Sequence, residues 1–464
     1  MGNSYSILRG TVLEKNRIPA ITPADFTVPG VFRDEDKQLT LNKDLLSRHM
    51  LFIGGTGTGK SNSLYFFLQD IKSKMTDDDV MIVFDTKGDY EDRFFDKEKD
   101  VVIGNSPRYR QRSELWSIYE DILADGWDEE DYIINLNEIS ASLFKKYESE
   151  SQPFFALAAR GVFSAVLLNF LRKKKWLIDG KIPPDEIEKT RAFFEESLNN
   201  SGIVKCFNTA KIQDYHDIAE VFTDLIKVKS YLGDGNNNQG LGVLAEVHVM
   251  LQEIFLGVFA KKGDFSIRNF IRKKEGRTLF LEYDMAIGET LAPLYSLIMD
   301  LALKEALGRS EEEGKKGSVY IVLDELKLLP HIMHLDNAVN FGRSMGVKII
   351  AGLQSVTQVY DIYGEGGSRD KGDAILAGFG SVVAFRPNDS VTREYVQNRF
   401  GKNMLNEEFD CGHEVVYERR QGFSVEDWEL NKLELGQAVV ALGGKPPFVY
   451  KFNEFIRGDG NGTR

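Results

Sequence analysis

Residues Gly54-Gly55-Thr56-Gly57-Thr58-Gly59-Lys60-Ser61 fit the pattern GxxxxGK[ST], and their flanks restrict the folds open to this chain. An apolar run, residues 50–55, precedes them and an amphipathic stretch, residues 61–73, follows, so the pattern reads as strand, glycine-rich turn and helix. In that order the backbone N–H groups at the helix start converge on an anion, Lys60 reaches terminal phosphates, and Ser61 holds Mg2+. Gly54, Gly55, Thr56, Gly57, Thr58, Gly59, Lys60, Ser61 and Asn62 are the expected nucleotide contacts, with ATP and Mg2+ as the implied ligands.

Further strand signals lie at 80–85 and 101–104. They stop near residue 125, where apolar spacings of three and four take over at 140–146, 154–175, 184–198, 214–231 and 241–260. Residues 233–240 (GDGNNNQG) read as a loop. Strands resume at 278–283, 319–323, 347–353, 381–385 and 438–442. This alternation predicts an α/β protein with a mainly parallel sheet that begins before a helical block and is completed after it. The expected division is a nucleotide-binding domain in two parts, residues 1–125 and 265–464, interrupted by an all-α insertion domain, residues 126–264. In the first 47 residues Pro19, Pro23 and Pro29 are expected to break regular structure.

A phosphate cradle hydrolyses nothing by itself. The apolar run 319–323 ends in Asp324-Glu325, which places two carboxylates at the carboxyl end of a strand, where ligands bind in open α/β sheets. Asp324 is expected to hold Mg2+ with Ser61, and Glu325 to activate the attacking water. Gln354 follows the next strand and is placed to sense the γ-phosphate. Arg343, between those strands, is a candidate arginine finger for a neighbouring subunit. Asp85-Thr86-Lys87-Gly88-Asp89 reads equally as a structural turn or as part of the nucleotide edge.

Composition narrows the class. With Lys+Arg 58 against Asp+Glu 71, the net charge is -13, so any nucleic-acid contact needs a local basic surface or a lumen formed by assembly. The basic stretches 172–175 and 268–277 read more readily as solvated helix faces than as such a surface. Only Cys206 and Cys411 occur, which excludes a disulfide framework or zinc cluster and fits a reducing compartment. His331 and His334 lack a zincin-type motif. The most apolar stretch, 154–171, carries Arg160 near its centre, so no membrane span is expected.

Taken together, these residues resemble the TraG/TraD-type coupling proteins of type IV secretion and conjugation, within the superfamily of septal DNA translocases. The likeness runs from about His49 to Phe455. Besides the cradle it rests on Asp85-Thr86-Lys87-Gly88-Asp89, similar to that family's DPKGE-like element, and on Arg112-Ser113-Glu114-Leu115-Trp116. It also rests on Gln152-Pro153-Phe154-Phe155, Leu291-Ala292-Pro293-Leu294-Tyr295, Ala384-Phe385-Arg386-Pro387-Asn388-Asp389 and Gly436-Gln437-Ala438-Val439-Val440. Gly342-Arg343 and Gln354-Ser355 fall where the family has its arginine finger and glutamine sensor.

The resemblance implies a RecA-like P-loop motor domain with an all-α cap, assembled as a homo-hexameric ATPase ring that passes DNA, single- or double-stranded, toward a secretion channel. A relaxase or effector protein is the implied protein partner. The usual two N-terminal membrane helices are not found here. The expectation is therefore a cytoplasmic form that reaches the inner face of the membrane through a separate membrane or secretion-channel partner. Two other functions stay open: a substrate-receptor adaptor for protein secretion, and a soluble DNA-translocating ATPase of a mobile-element or defence system.

Overall fold

Short apolar runs buried on both faces form inner strands, and four of them build the middle of the sheet. The computed structural model describes residues 4–148, 153–233, 238–364, 368–410 and 415–456. In chain order its strands are β1 (Ser4–Gly10), β2 (Phe26–Phe32), β3 (Glu35–Leu41), β4 (Met50–Ile53), β5 (Val80–Asp85), β6 (Val101–Gly104) and β7 (Arg277–Glu282). The second half adds β8 (Val319–Leu323), β9 (Val347–Leu353), β10 (Ser381–Ala384), β11 (Lys402–Asp410), β12 (Val415–Phe423), β13 (Gln437–Ala441) and β14 (Phe448–Phe452). Every residue of β4, β5, β8 and β9 is buried.

One sheet has the order β3-β2-β14-β13-β10-β4-β9-β8-β5-β7-β6. From β10 to β6 all neighbours are parallel. From β10 back to β3 they are antiparallel. Leu51, Ile82, Phe280, Ile321 and Ile349 thus share a sheet assembled from both ends of the chain. Successive strand residues point to opposite faces. Phe52, Met81, Val83, Val322 and Ile350 pack on the side covered by helix Lys60–Ser73, where Phe67 meets Phe52 edge-on at 5.2 Å. Leu51, Ile82, Ile321 and Ile349 pack on the side that carries helix Gly288–Leu307.

Between β6 and β7 the described residues contain helices and no strand of a sheet. Because β6 pairs directly with β7, the chain leaves and re-enters at one sheet edge. The exit and return are tied by a backbone bridge between Trp116 and Phe265. They are tied again by buried Asn200, whose amide donates to Trp116 O at 2.7 Å and Phe259 O at 2.9 Å and accepts from Ile118 N–H at 3.1 Å.

The helix at Pro153–Ile178 runs through this block. By length and composition it does qualify as a membrane span, contrary to the sequence reading, but 67% of its apolar window is buried inside the protein. Arg160 on it pairs with Glu148.

Other differences have local causes. The stretch 214–231 is not one helix: Ile212–Val221 and Lys227–Leu232 are separated by a 3-10 turn at Thr223–Leu225. Asn200–Thr209 is a helix within a polar, glycine-containing stretch, started by Asn199, whose side chain accepts from Gly202 N–H at 3.0 Å. Pro29 lies inside β2 rather than breaking it; the ladder to β14 reaches only Gly30 and Val31, so its missing N–H is tolerated. Strands β1, β11 and β12 form a separate antiparallel sheet that polar sequence concealed. Cys411, residues 234–237 of the glycine-rich loop, and Gln152 lie outside the described residues.

Candidate active site

The loop between β4 and helix Lys60–Ser73 is pinned at its start: Gly54 N–H donates to Leu353 O at 3.1 Å and Gly55 N–H to Arg386 O at 3.0 Å. At its end Gly59 adopts φ 109, a left-handed conformation, with no side-chain cap on the helix. The backbone conformation there favours glycine, and a Cβ would also crowd the Gly436 Cα at 3.1 Å. The first helical N–H groups have no partner within the helix and face the loop as an anion cradle. Lys60 folds back on that loop, donating to Gly54 O at 2.5 Å and Gly55 O at 3.2 Å. Burial pulls its ammonium below the usual lysine range, and the Glu325 and Asp324 carboxylates partly oppose this.

Asp324 and Glu325 leave the end of β8 in different directions. Asp324 Oδ1 accepts from the Ser61 hydroxyl at 3.0 Å and from the Tyr90 hydroxyl at 3.0 Å. Glu325 Oε2 accepts from Gln354 Nε2 at 2.7 Å, and Gln354 Oε1 accepts from the Thr56 hydroxyl at 3.2 Å. Glu325 Oε1 is buried with no partner among the described residues. Burial pushes both carboxyls above their ordinary values; Ser61 and Tyr90 oppose this at Asp324, and Gln354 does so at Glu325. β9 lies between β4 and β8, which is why its tip can bridge the cradle and the carboxylates.

This donor set fits a nucleotide with its cation. A serine hydroxyl beside one carboxylate offers hard oxygen ligands. Mg2+ is usually held by only one or two carboxylates together with phosphates, which matches the single carboxylate beside Ser61.

Arg343 and the Asn62 side chain lie apart from this group. Arg343 follows helix Leu335–Phe341 and precedes β9, at the amino end of the parallel strands and therefore across the sheet from its own chain's cradle. Its guanidinium pairs with Asp44 at 2.6 Å. The Asn62 side chain is committed to the C-terminal segment, donating to Asn453 O at 2.7 Å and accepting from Phe455 N–H at 2.7 Å. In the 85–89 segment Asp85 is structural. Its carboxylate accepts from the N–H groups of Lys87, Gly88, Tyr90 and Glu91 at 2.8–3.1 Å. Lys87 is exposed, and its charge acts on both Lys60 and Asp324. No motif or periodicity points to Tyr90.

Several cations of both basic stretches are paired with carboxylates. Arg172 pairs with Glu129 and Asp224, and Lys175 with Asp179. Arg268 and Arg272 pair with Asp125 and Glu305.

The model of the type IV secretion-system coupling protein DNA-binding domain matches residues 37–411. The chain belongs to this family. Among curated members it is similar to coupling protein TraD of Escherichia coli (strain K12), 21% identical over 336 residues, covering 70% of this chain and 40% of that protein. It therefore spans less than half the length of that relative.

Among solved structures it is similar to the bacterial conjugative coupling protein TrwBdeltaN70 in an unbound form, with TM-score 0.71 and 22% identity over 97% of this chain and 94% of the other. It is also similar to TrwB in complex with ADP and Mg2+, with TM-score 0.69 and 21% identity over 99% and 97%. The VirB4 structure of Thermoanaerobacter pseudethanolicus matches with TM-score 0.53 and 12% identity over 93% and 97%. The fold of this coupling-protein family member is thus the RecA-like P-loop α/β fold shared with TrwB.

Proposed function

We propose that this chain is an ATP-hydrolysing motor of coupling-protein type, a homo-hexameric ring that engages DNA and moves it toward a conjugation or type IV secretion channel. The observation that carries the reading is the pair of contacts at the strand tips: Ser61 against Asp324, and Gln354 joining Thr56 to Glu325. Membership in a family described by a coupling-protein DNA-binding domain supports DNA as the partner, and a relaxase or effector protein would arrive with it. The motor consists of residues 1–125 and 265–464, with residues 126–264 as its all-α cap. It works on the cytoplasmic side, at the membrane's inner face through a partner.

In this reading the cradle N–H groups and Lys60 bind the β- and γ-phosphates. Lys60 exchanges its two loop carbonyls for phosphate oxygens. Mg2+, held by Ser61 and Asp324, supplies neutralisation of the developing phosphate charge when bound. Glu325 takes the proton of the water that attacks the γ-phosphorus as the bond to the β-phosphate oxygen breaks. Gln354 carries the change at Glu325 to the loop through Thr56. Arg343, facing away from its own cradle, completes the site of a neighbouring subunit.

The test is the ATPase rate with and without single- and double-stranded DNA, over a range of protein concentrations. Stimulation by DNA that falls as salt rises supports the motor. Nucleotide turnover indifferent to DNA would favour the receptor-adaptor alternative.

A further inference from the structure

Asp324 is a buried carboxylate with two donors, and only one of them, Ser61, belongs to the cradle pattern. The other is Tyr90, on helix Asp89–Phe94. Tyr90 is 1% exposed, and its ring packs edge-on against Tyr65 with centroids 5.0 Å apart. Its backbone is fixed as well, since its N–H donates to Asp85 Oδ2 at 2.8 Å. The Asp85 turn, the Tyr90 ring and the Asp324 carboxylate therefore form one rigid connection from the tip of β5 to the tip of β8.

The consequence is geometric. The terminal torsion of an aspartate is broad and roughly two-fold, so a carboxylate held by a single donor can rotate. Ser61 lies 3.0 Å from Oδ1 and 3.4 Å from Oδ2, and so does not choose strongly between the oxygens. Tyr90 bonds Oδ1 alone. We propose that Tyr90 is a positioning residue for the cation site: by holding Asp324 Oδ1 it aims the carboxylate so that Ser61 and Asp324 together take Mg2+ with nucleotide. This rests on the Mg2+-nucleotide reading of the site and adds a residue to it. The Asp85 turn thereby serves the site through Tyr90.

Binding of a fluorescent ADP analogue, measured in excess EDTA and in Mg2+, tests the proposal. Wild-type protein should bind more tightly with Mg2+; if it binds in neither condition, the nucleotide reading itself fails. Tyr90→Phe keeps the ring and removes only the hydroxyl. Its affinity in EDTA should match wild type, while the tightening by Mg2+ should fall about tenfold, as for other groups that orient metal ligands. Raising Mg2+ should then restore its ATPase rate. Tyr65→Phe, which removes a neighbouring hydroxyl bonded to Asp89 rather than to Asp324, should keep the full Mg2+ effect. The proposal is overturned if Tyr90→Phe keeps the wild-type Mg2+ effect. It is equally overturned if that variant loses affinity in EDTA as well, because the hydroxyl would then serve the fold rather than the cation.

Discussion

Gln354 Nε2 donates to Glu325 Oε2 at 2.7 Å, so the proposed base is held by the residue proposed to sense nucleotide. The same amide accepts from Thr56 in the cradle, and any movement of the loop is felt at Glu325. Gln354→Ala removes both contacts. It should leave nucleotide affinity within about twofold, because Lys60 and the loop N–H groups are untouched. It should lower kcat by roughly ten- to a hundredfold, because a base must be positioned to act. Steady-state kinetics that show a raised KM with unchanged kcat would remove Gln354 from catalysis and leave it a binding contact.

The cradle and the base separate in the same way. Lys60→Ala should lose ATP binding and turnover together, since the phosphates lose their buried cation. Glu325→Gln keeps the shape and the Ser61–Asp324 pair, so it should bind ATP like wild type and lose roughly 10²–10⁴ in kcat. Equilibrium binding and single-turnover hydrolysis on both variants check this. Turnover at the wild-type rate in Glu325→Gln would end the assignment of Glu325.

What could be read in the sequence was local. The cradle, the acidic strand end and Gln354 each follow an apolar run of strand length, and period and position suffice to find them. Tyr90 could not be found that way. Within Asp89-Tyr90-Glu91-Asp92-Arg93-Phe94 it reads as the buried face of a short helix, and the partner that gives it meaning is Asp324, 234 positions on. The basic stretch at 172–175 reads as a solvated helix face because the carboxylates that pair with Arg172 come from other helices, at Glu129 and Asp224. Strand β12 escaped because its ladder is polar, with Arg420 paired across to Glu407 at 2.7 Å. Motif spacing also does not say where an amide points, and the Asn62 side chain bonds Asn453 O.

Glu282 supplies a stability prediction. It ends β7 in register with Asp85 at the end of β5 and is 2% exposed. Burial first, then the Asp85 carboxylate, pushes its carboxyl from 4.5 up to about 9. Between those values the folded state holds a proton that the unfolded chain has released, so raising the pH favours unfolding. The contribution of Glu282 is full below about 4.5 and is lost as pH rises through about 9. Glu282→Gln has no proton to lose. Its stability relative to wild type should therefore grow from pH 5 to pH 8, by at most about 1.4 kcal/mol per pH unit. Urea unfolding across that range measures the difference. A difference that stays constant with pH would mean that Glu282 ionises at its ordinary value.

Arg343 gives the prediction that joins assembly to catalysis. In the single chain it pairs with Asp44 at 2.6 Å, with both side chains about half exposed, at 54% and 51%. Such a pair is screened by water and is worth about 0–1 kcal/mol, so releasing it costs little when a neighbour's phosphates arrive. A guanidinium supplied in trans to an incomplete site accounts for on the order of 10³–10⁵ in rate in GTPases, and that scale outweighs the lost pair. Isolated subunits should therefore bind ATP and hydrolyse it slowly, with activity per subunit rising steeply as rings form. Arg343→Ala should hydrolyse at the isolated-subunit rate at every concentration. Mixing Arg343→Ala with Glu325→Gln, each slow alone, should restore part of the activity, because some interfaces then pair an intact Glu325 with an intact Arg343. The mixture is assayed at concentrations where sedimentation shows rings. If it restores nothing there, or if Arg343→Ala alone turns over normally, Arg343 is an ordinary surface partner of Asp44 and the trans site must be built from another residue.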